Sequence, residues 1–528
     1  MKFFIWKKKD QRLNLNLSKI KDNHKKIKET YNVTLKILTN VLNKYHNLKE
    51  DRIFWETIIG HWLLSFVHVA HCEYLKKFSK KENNLILEPS SSYSQFNSFL
   101  INEKFRFNLF KAINSKKNVI KIINNNQVKS NFNFYSLCYL SLNLFASFFF
   151  KKKISMKIEK ISYKTDYRIN YLLKIASFEK EFLDHKTRVS INKMISENKN
   201  KKKFITSTLN IIHWYIPINY LENFRNINNY FKKKSFVCEN FFTTHSHVVD
   251  DIFKIFLANW KSNNKKNRLN IIQHGGGYQI YRFNTHGVLE GRLADNFLGW
   301  GTYSKLYEEK YIPFFINKEF EYLKLDSPRK QNKILLIAKD LMRFDFGTTD
   351  VHPHNYIKIY KKLMDWLEKD KSNQFDLRLY GTQKMLLSKT NHLNFYYTIL
   401  KNVIKKKYLK TGDKPIKETL TDYNLVLHTY FGTAFYETLS INFPTIIYLD
   451  KTINKIYTSH FLKSVKFAEN KIIFYNEKKL KSFIKSKSFN NWYSKKNQII
   501  VKKLQNKLCR LTDKKSYLLL IKKIAEGK

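Results

Sequence analysis

The chain has 528 residues, 43% hydrophobic and 16% aromatic, enough apolar material for two or three packed domains and too much for a largely disordered protein. Its formal net charge of +54 is carried mostly by Lys spread along the chain with abundant Asn, Ile, Phe and Tyr, whereas specific nucleic-acid readers gather their charge on one element and favour Arg. No specific nucleic-acid partner is expected, and what is left is a general attraction to anions such as nucleotide phosphates and anionic lipid head groups.

The N-terminal MKFFIWKKKD has too short an apolar run for a signal peptide or a membrane span. Residues 1–85 read as helical: Trp55, Ile58, Ile59, Trp62, Leu63 and Phe66 recur at spacings of three and four, which predicts one apolar face. Aromatic surroundings would suit Glu56 to serve as a base, and Gly60, one turn on, would leave room beside its carboxylate. A polar residue on a packing helix accounts for the same pattern. His68 and His71 lack a third metal ligand and read as packing or surface residues. Residues 86–130, with Pro89–Ser92 and Asn124–Asn126, read as an irregular connection. The most apolar stretch, Tyr135–Phe150, is shorter than the roughly 20 residues of a span. A buried helix is expected there, with a peripheral membrane contact through Lys151–Lys153 as the alternative.

From about residue 235 the pattern becomes strand, helix, strand. Ser235–Phe242 is β-like, Val248–Trp260 is amphipathic, Leu269–Gln273 is a short apolar strand and Asp295–Trp300 is another. This is the rhythm of a parallel α/β sheet. Residues 305–332, charged and holding Pro313 and Pro328, mark a domain boundary. A second series follows with strands at Lys333–Ala338, Phe375–Tyr380, Asn424–His428 and Pro444–Leu449, and helices at Tyr356–Leu367 and from Thr433. Beyond 451 a Lys-rich helical tail is expected to cross back to the first domain. Cys72, Cys138, Cys238 and Cys509 are far apart without a CxxC pair, so neither a disulfide framework nor a zinc site is implied and a reducing cytoplasm fits.

Two stretches have the composition of ligand loops. In Asn424–Asp450 a buried strand delivers His428 and Thr429 at its C-terminal end, Phe431-Gly432-Thr433 turns into a helix, and Glu437 follows one turn in. Strand C-termini in open α/β sheets bind ligands, and a helix N-terminus there suits phosphate. Gly432 would admit a close approach, Thr433 would add a hydroxyl and Glu437 would accept from sugar hydroxyls. An ordinary helix between two strands fits the same residues. The second stretch is Gln273-His274-Gly275-Gly276-Gly277-Tyr278, where three glycines after a strand could wrap an anion or a sugar and His274 could act as base or phosphate donor. A tight turn with a structural His is the alternative. Glu290 and Asp295 follow closely as candidate acceptor-activating carboxylates. Lys339, Arg343 and Arg378 lie just after strands, placed to meet phosphate. No Asp-x-Asp metal motif occurs, so neither a metal nor a cofactor is expected.

Three segments in order along most of the chain carry a family resemblance. Asp51–Ser65 (DRIFWETIIGHWLLS), Asn270–Gly277 (NIIQHGGG) with Ala294–Gly301 (ADNFLGWG), and His428–Tyr448 resemble the N-terminal, central and C-terminal motifs of a family of transferases encoded in bacterial O-antigen and surface-polysaccharide loci. The Gly/Thr turn, helical Glu and Asn-x-Pro-Thr also look like the donor-binding end of GT-B glycosyltransferases. The resemblance implies an α/β fold of two Rossmann-like domains facing a cleft: a helical N-terminal region at 1–85, an acceptor domain at 86–320, a donor-nucleotide domain at 321–465 and a helical tail at 466–528. It implies a cytoplasmic, metal-independent glycosyltransferase, peripheral at the inner face of the membrane, that takes a nucleotide-sugar donor and a lipid-linked or glycan acceptor in O-antigen or capsule-type assembly. Transfer of a polyol-phosphate, as in teichoic-acid polymerases, and a non-catalytic glycan- or nucleic-acid-binding role are the alternatives.

Overall fold

The computed structural model describes residues 17–75, 85–87, 90, 92, 103–114, 120–122, 154–157, 183–198, 200–232, 239–282, 284–303, 310–316, 333–339, 353–370, 374–387, 392–510 and 514–526. The stretch Tyr135–Phe150, Lys151–Lys153, Arg343, Cys138 and Cys238 lie outside the described residues. The chain forms two units. An N-terminal unit holds Asp22–Ile272 and Val288–Phe297, and a C-terminal unit holds Gln273–Gly287 and Leu298–Lys528 together with Met1–Lys21.

In the N-terminal unit, helix Arg52–Tyr74 begins at Asp51, whose carboxylate accepts from Phe54 N at 2.7 Å. Instead of showing one apolar face, it is buried all round from Phe54 to His71, as expected of a helix enclosed by neighbours. It is long and apolar enough to cross a membrane by length and composition, yet 94% of its apolar window is buried inside the protein. Strands β1 (Leu85–Leu87) and β2 (Ile120–Ile122) form a parallel pair. Strands β3 (Ile154–Lys157), β4 (Asn240–Thr243) and β5 (Arg268–Ile272) run parallel side by side, and β6 (Asn296–Trp300) follows β5 in the sheet. After β4 and a short helix at Ser246–Val249, Asp250 caps helix Asp251–Asn263 by accepting from Phe253 N at 3.0 Å.

The C-terminal unit takes the end of β6, then β7 (Tyr311–Phe314) and a six-stranded sheet of β8 (Lys333–Ile337), β9 (Gln374–Arg378), β10 (Leu409–Lys410), β11 (Leu425–His428), β12 (Thr445–Tyr448) and β13 (Ile473–Phe474). The order across the sheet is β10-β9-β8-β11-β12-β13, with every neighbouring pair parallel. Counted within this sheet the order is 3-2-1-4-5-6, the doubly wound pattern whose ligand crevice opens where the order reverses, between β8 and β11. The strands are apolar on both faces, as a covered parallel sheet demands. Ile334, Leu336, Leu425, Leu427 and Ile446 pack into one cluster, and Leu335, Ile337 and Val426 pack into the opposite one with Ile416, Tyr423 and Phe443. The tail helix Lys495–Leu508 ends against the residues after β6: Thr302 and Tyr303 donate their N–H groups to Asn506 and Lys507 carbonyls, each at 3.1 Å.

Candidate functional site

The C-terminal ends of β9, β8 and β11 lie in a row, because Arg378 pairs with Ile337 and Ile337 with His428. From these ends come Arg378, Lys339 and the turn Thr429–Gly432. The Tyr360 hydroxyl holds two of them together: it accepts from Lys339 N at 2.7 Å and lies 3.2 Å from Thr429 Oγ1. Thr429 is wholly buried, so its hydroxyl braces the turn from within. Lys339 carries its ammonium 5.1 Å from the Tyr356 ring centre and 5.9 Å from that of Tyr430, a cation held between two aromatic rings.

The two glycine-bearing stretches meet. The Gly276 N–H donates to Thr433 Oγ1 at 3.0 Å. A Cβ on Gly276 would sit 2.6–2.8 Å from the Tyr436 ring, Gly432 C and Thr433 N, closer than any side chain could come. Gln273 sets this loop: its Oε1 accepts from Trp300 N at 3.0 Å and its Nε2 donates to Gly275 O at 2.8 Å. Gly277 has φ of +92° with the Tyr281 ring against it, and beyond it Thr458 N donates to Ile280 O at 2.9 Å. The His274 imidazole is held at 2.8 Å by the Tyr278 hydroxyl through Nδ1.

This geometry changes the reason for Gly432. The atoms nearest its absent side chain belong to the Tyr430 ring, 2.1–2.8 Å from an added Cβ, so the glycine admits a neighbouring aromatic ring. Gly432 is the N-cap of helix Thr433–Ser440, and no side chain caps that helix. Its first turn offers N–H groups without intrahelical partners. Glu437 is half-buried one turn in, and its charge reaches Arg378 on β9. Burial pulls the Arg378 guanidinium below its usual value, opposed by Tyr423, Glu437 and Asp413. Arg378 also donates to Lys414 O at 2.5 Å. His428 is wholly buried, 3.3 Å from Thr438 Oγ1 and edge-on to Phe435. Desolvation holds its imidazole at about 3, so it is neutral and occupied in packing.

The other sequence candidates sit in the N-terminal unit, each with partners there. Glu56 is buried, accepts from the Tyr31 hydroxyl at 2.7 Å and pairs with Arg292 at 2.6 Å. The space at Gly60 is filled, its added Cβ meeting Tyr31 Oη at 3.1 Å and Leu289 at 3.3 Å. A proton-abstracting Glu56 would first have to leave Arg292. Glu290 is buried 3.7 Å from His247 Nε2, with the His61 ring 5.9 Å beyond. Asp295 accepts from Leu269 N at 2.7 Å and from Lys261, which fastens the start of β5, the end of the strand opposite to that where ligands gather. His247 has no spacing in the sequence that ties it to Glu290. Tyr356, Tyr360 and Tyr430 also escape sequence reasoning, because a Tyr in a helix or loop beside a sheet reads as core in a chain this aromatic.

A family model described as LIC12162 family transferase matches residues 15–524. No curated protein matches the chain. Among solved structures there is likeness to the crystal structure of TarM, at 12% identity and a TM-score of 0.35, covering 57% of this chain and 58% of that one. Sucrose-phosphate synthase from Thermosynechococcus elongatus is similar at 12% identity and a TM-score of 0.35, over 59% of this chain and 80% of that one. The accessory secretory protein 1, 2 and 3 structure of Streptococcus pneumoniae is similar at 13% identity and a TM-score of 0.30, over 58% and 57% respectively. The chain thus spans 58% of the TarM chain, the first of these.

Proposed function

The chain belongs to the LIC12162 family of transferases, and from that premise we propose that it is a glycosyltransferase of the GT-B kind. It moves a sugar from a nucleotide-sugar donor to a lipid-linked or surface-glycan acceptor in O-antigen or capsule-type assembly. The observation that carries this reading is the meeting of two glycine-bearing strand-end loops, His274–Gly277 and Gly432–Thr433, beside the reversal of strand order in the C-terminal unit. That place has a helix N-terminus with no side-chain cap, a half-buried Lys339 and an Arg378 that feels the charge of Glu437. Together these suit a nucleotide phosphate and a hydroxyl-rich sugar.

In this reading an acceptor hydroxyl attacks the anomeric carbon, the bond from that carbon to the phosphate oxygen breaks, and the nucleotide leaves with the bonding electrons. His274, its ring held by Tyr278, takes the acceptor proton. Lys339 and the helix N-terminus meet the charge on the leaving phosphate. On this reading the protein works at the cytoplasmic face of a membrane, a proposal supported by the net charge of +54 and a lipid-linked acceptor.

The test is thermal unfolding with a panel of UDP, GDP, CDP and CMP, followed by transfer assays with the matching nucleotide-sugars and a nucleotide-activated polyol. A nucleotide at 100 times its Kd should add about 2.7 kcal/mol of stability. The Glu437→Gln variant should bind its nucleotide-sugar roughly tenfold or more weakly, the usual scale for a hydrogen bond involving a charged group. If no nucleotide stabilises the parent and no sugar is transferred, the reading fails.

A further inference from the structure

Resting on the donor reading above, we infer that the Tyr356 hydroxyl and the Lys339 ammonium together grip the diphosphate of the donor nucleotide. The starting point is an anomaly. Tyr356 is wholly buried, yet its hydroxyl has no hydrogen-bond partner among the described residues. Buried polar groups are nearly always satisfied, and an exception calls for an explanation. The tyrosines around it do find partners: Tyr360 binds Lys339 N and Thr429, and Tyr457 receives Phe431 N at 3.1 Å.

The place of this hydroxyl supplies the explanation. Tyr356 lies in the first turn of helix Pro353–Asp370. Tyr360, one turn further on the same face, is fixed to the ends of both β8 and β11 by its own hydrogen bonds. Tyr356 is therefore one turn nearer the helix N-terminus, at the strand-order reversal where an open sheet holds its ligand. Lys339 lies over its ring at 5.1 Å and also faces the Tyr430 ring.

The Lys339 ammonium over the Tyr356 ring, and a hydroxyl on that ring with no partner among the described residues, offer an anion two charge-assisted contacts. Burial and the neighbouring Tyr281, Tyr360 and Tyr430 hydroxyls push the Tyr356 phenol well above its ordinary range, so it stays protonated and keeps a hydrogen to donate. If packing alone were required, Phe would fill the same space without the cost of an unsatisfied group. A diphosphate presents acceptor oxygens on two phosphorus atoms, one for each group. The long Lys339 side chain swings off the ring to admit it.

The decisive variant is Tyr356→Phe, measured in the full-length protein by thermal unfolding without ligand and in titrations with inorganic pyrophosphate and with UDP, GDP and CDP. Without ligand the variant should melt at the same temperature as the parent or higher, because an unsatisfied hydroxyl has been removed. It should bind pyrophosphate and the preferred nucleotide about tenfold or more weakly. Lys339→Met should weaken both as well, and should flatten the dependence of binding on salt. If Tyr356→Phe binds pyrophosphate and nucleotide as tightly as a parent that binds both, the inference is wrong while the donor reading stands. If the variant melts lower without ligand, the hydroxyl has a structural partner such as a buried water, and the inference is again overturned. A parent that binds neither pyrophosphate nor any nucleotide removes the inference and the donor reading together.

Discussion

Two adjacent glycines separate a loop that only turns from one that must also touch. An added Cβ at Gly275 would lie 3.5 Å from Thr433 Oγ1, an ordinary contact, whereas at Gly276 it would enter the backbone of Gly432 and Thr433. Gly275→Ala should therefore leave stability and nucleotide binding near those of the parent. Gly276→Ala has to push the loop off the helix and break the hydrogen bond to Thr433. It should lower donor affinity roughly tenfold or more, on the scale of a lost hydrogen bond to a charged ligand with its positioning, while far-ultraviolet circular dichroism stays that of the parent. Equal binding by both variants would show that the meeting of these loops is incidental to the ligand. At this scale the sequence was a good guide to residue types and a poor one to reasons. His274, Gly432 and Thr433 were recognisable as strand-end residues, but that Gly432 makes room for Tyr430 and Gly276 for Gly432 depends on which loop lies on which. Glu56 shows the same limit, since Arg292, which pairs with it, is remote in sequence.

Among the elements, the parallel strands were the most legible. The runs Lys333–Ile337 and Leu425–His428 are apolar at successive positions, and both faces of each are covered. Helix Arg52–Tyr74 was legible as a helix, but its complete burial follows from neighbours that the chain supplies elsewhere. The short strands β10 and β13, of two residues each, have no sequence signature, because so short a strand is defined by the partner it pairs with. The tail helix makes a testable element. Gly301 has φ of +75°, and an added Cβ would lie 2.3 Å from the Lys507 carbonyl oxygen. Gly301→Ala should cost at least about 1–3 kcal/mol from the left-handed backbone alone, with more from displacing the end of helix Lys495–Leu508. Urea unfolding monitored by Trp492, which donates its indole N–H to Asn442 O at 3.1 Å, would report it. An unchanged midpoint would mean that the tail is dispensable to the unit it packs on.

On the scale of the whole molecule, the net charge of +54 gives a general attraction to anions. The proposed membrane association should follow it. Each Lys near an anionic bilayer contributes about 1 kcal/mol, screened by salt. The protein should leave vesicles containing anionic lipid at high salt without detergent and should ignore neutral vesicles. Retention that only detergent reverses would point to an inserted apolar segment. Transferase activity should also persist in EDTA, since the phosphate charge in this reading falls on Lys339 and the helix N-terminus. Complete loss restored by Mg²⁺ or Mn²⁺ would overturn the metal-independent part of the proposal.

By itself the sequence determined the α/β character, the positions of the main parallel strands and the two glycine-bearing loops after them. These are local properties: apolar runs of four or five residues closed by Gly or Thr alternate with helical patterns, the rhythm of a parallel sheet. The family match over residues 15–524 agrees with motifs that are legible in the same local way. What only the tertiary structure decided is which of those loops share a place. Segment Gln273–Gly287 belongs to the C-terminal unit, where Gly276 reaches Thr433 across 157 positions of sequence. The Tyr356 hydroxyl, without a partner among the described residues and on a ring that lies under Lys339, was likewise invisible until the sheet was assembled. A hydrogen bond left unmade has no local signature, because every partner it lacks is a residue that the chain has placed elsewhere.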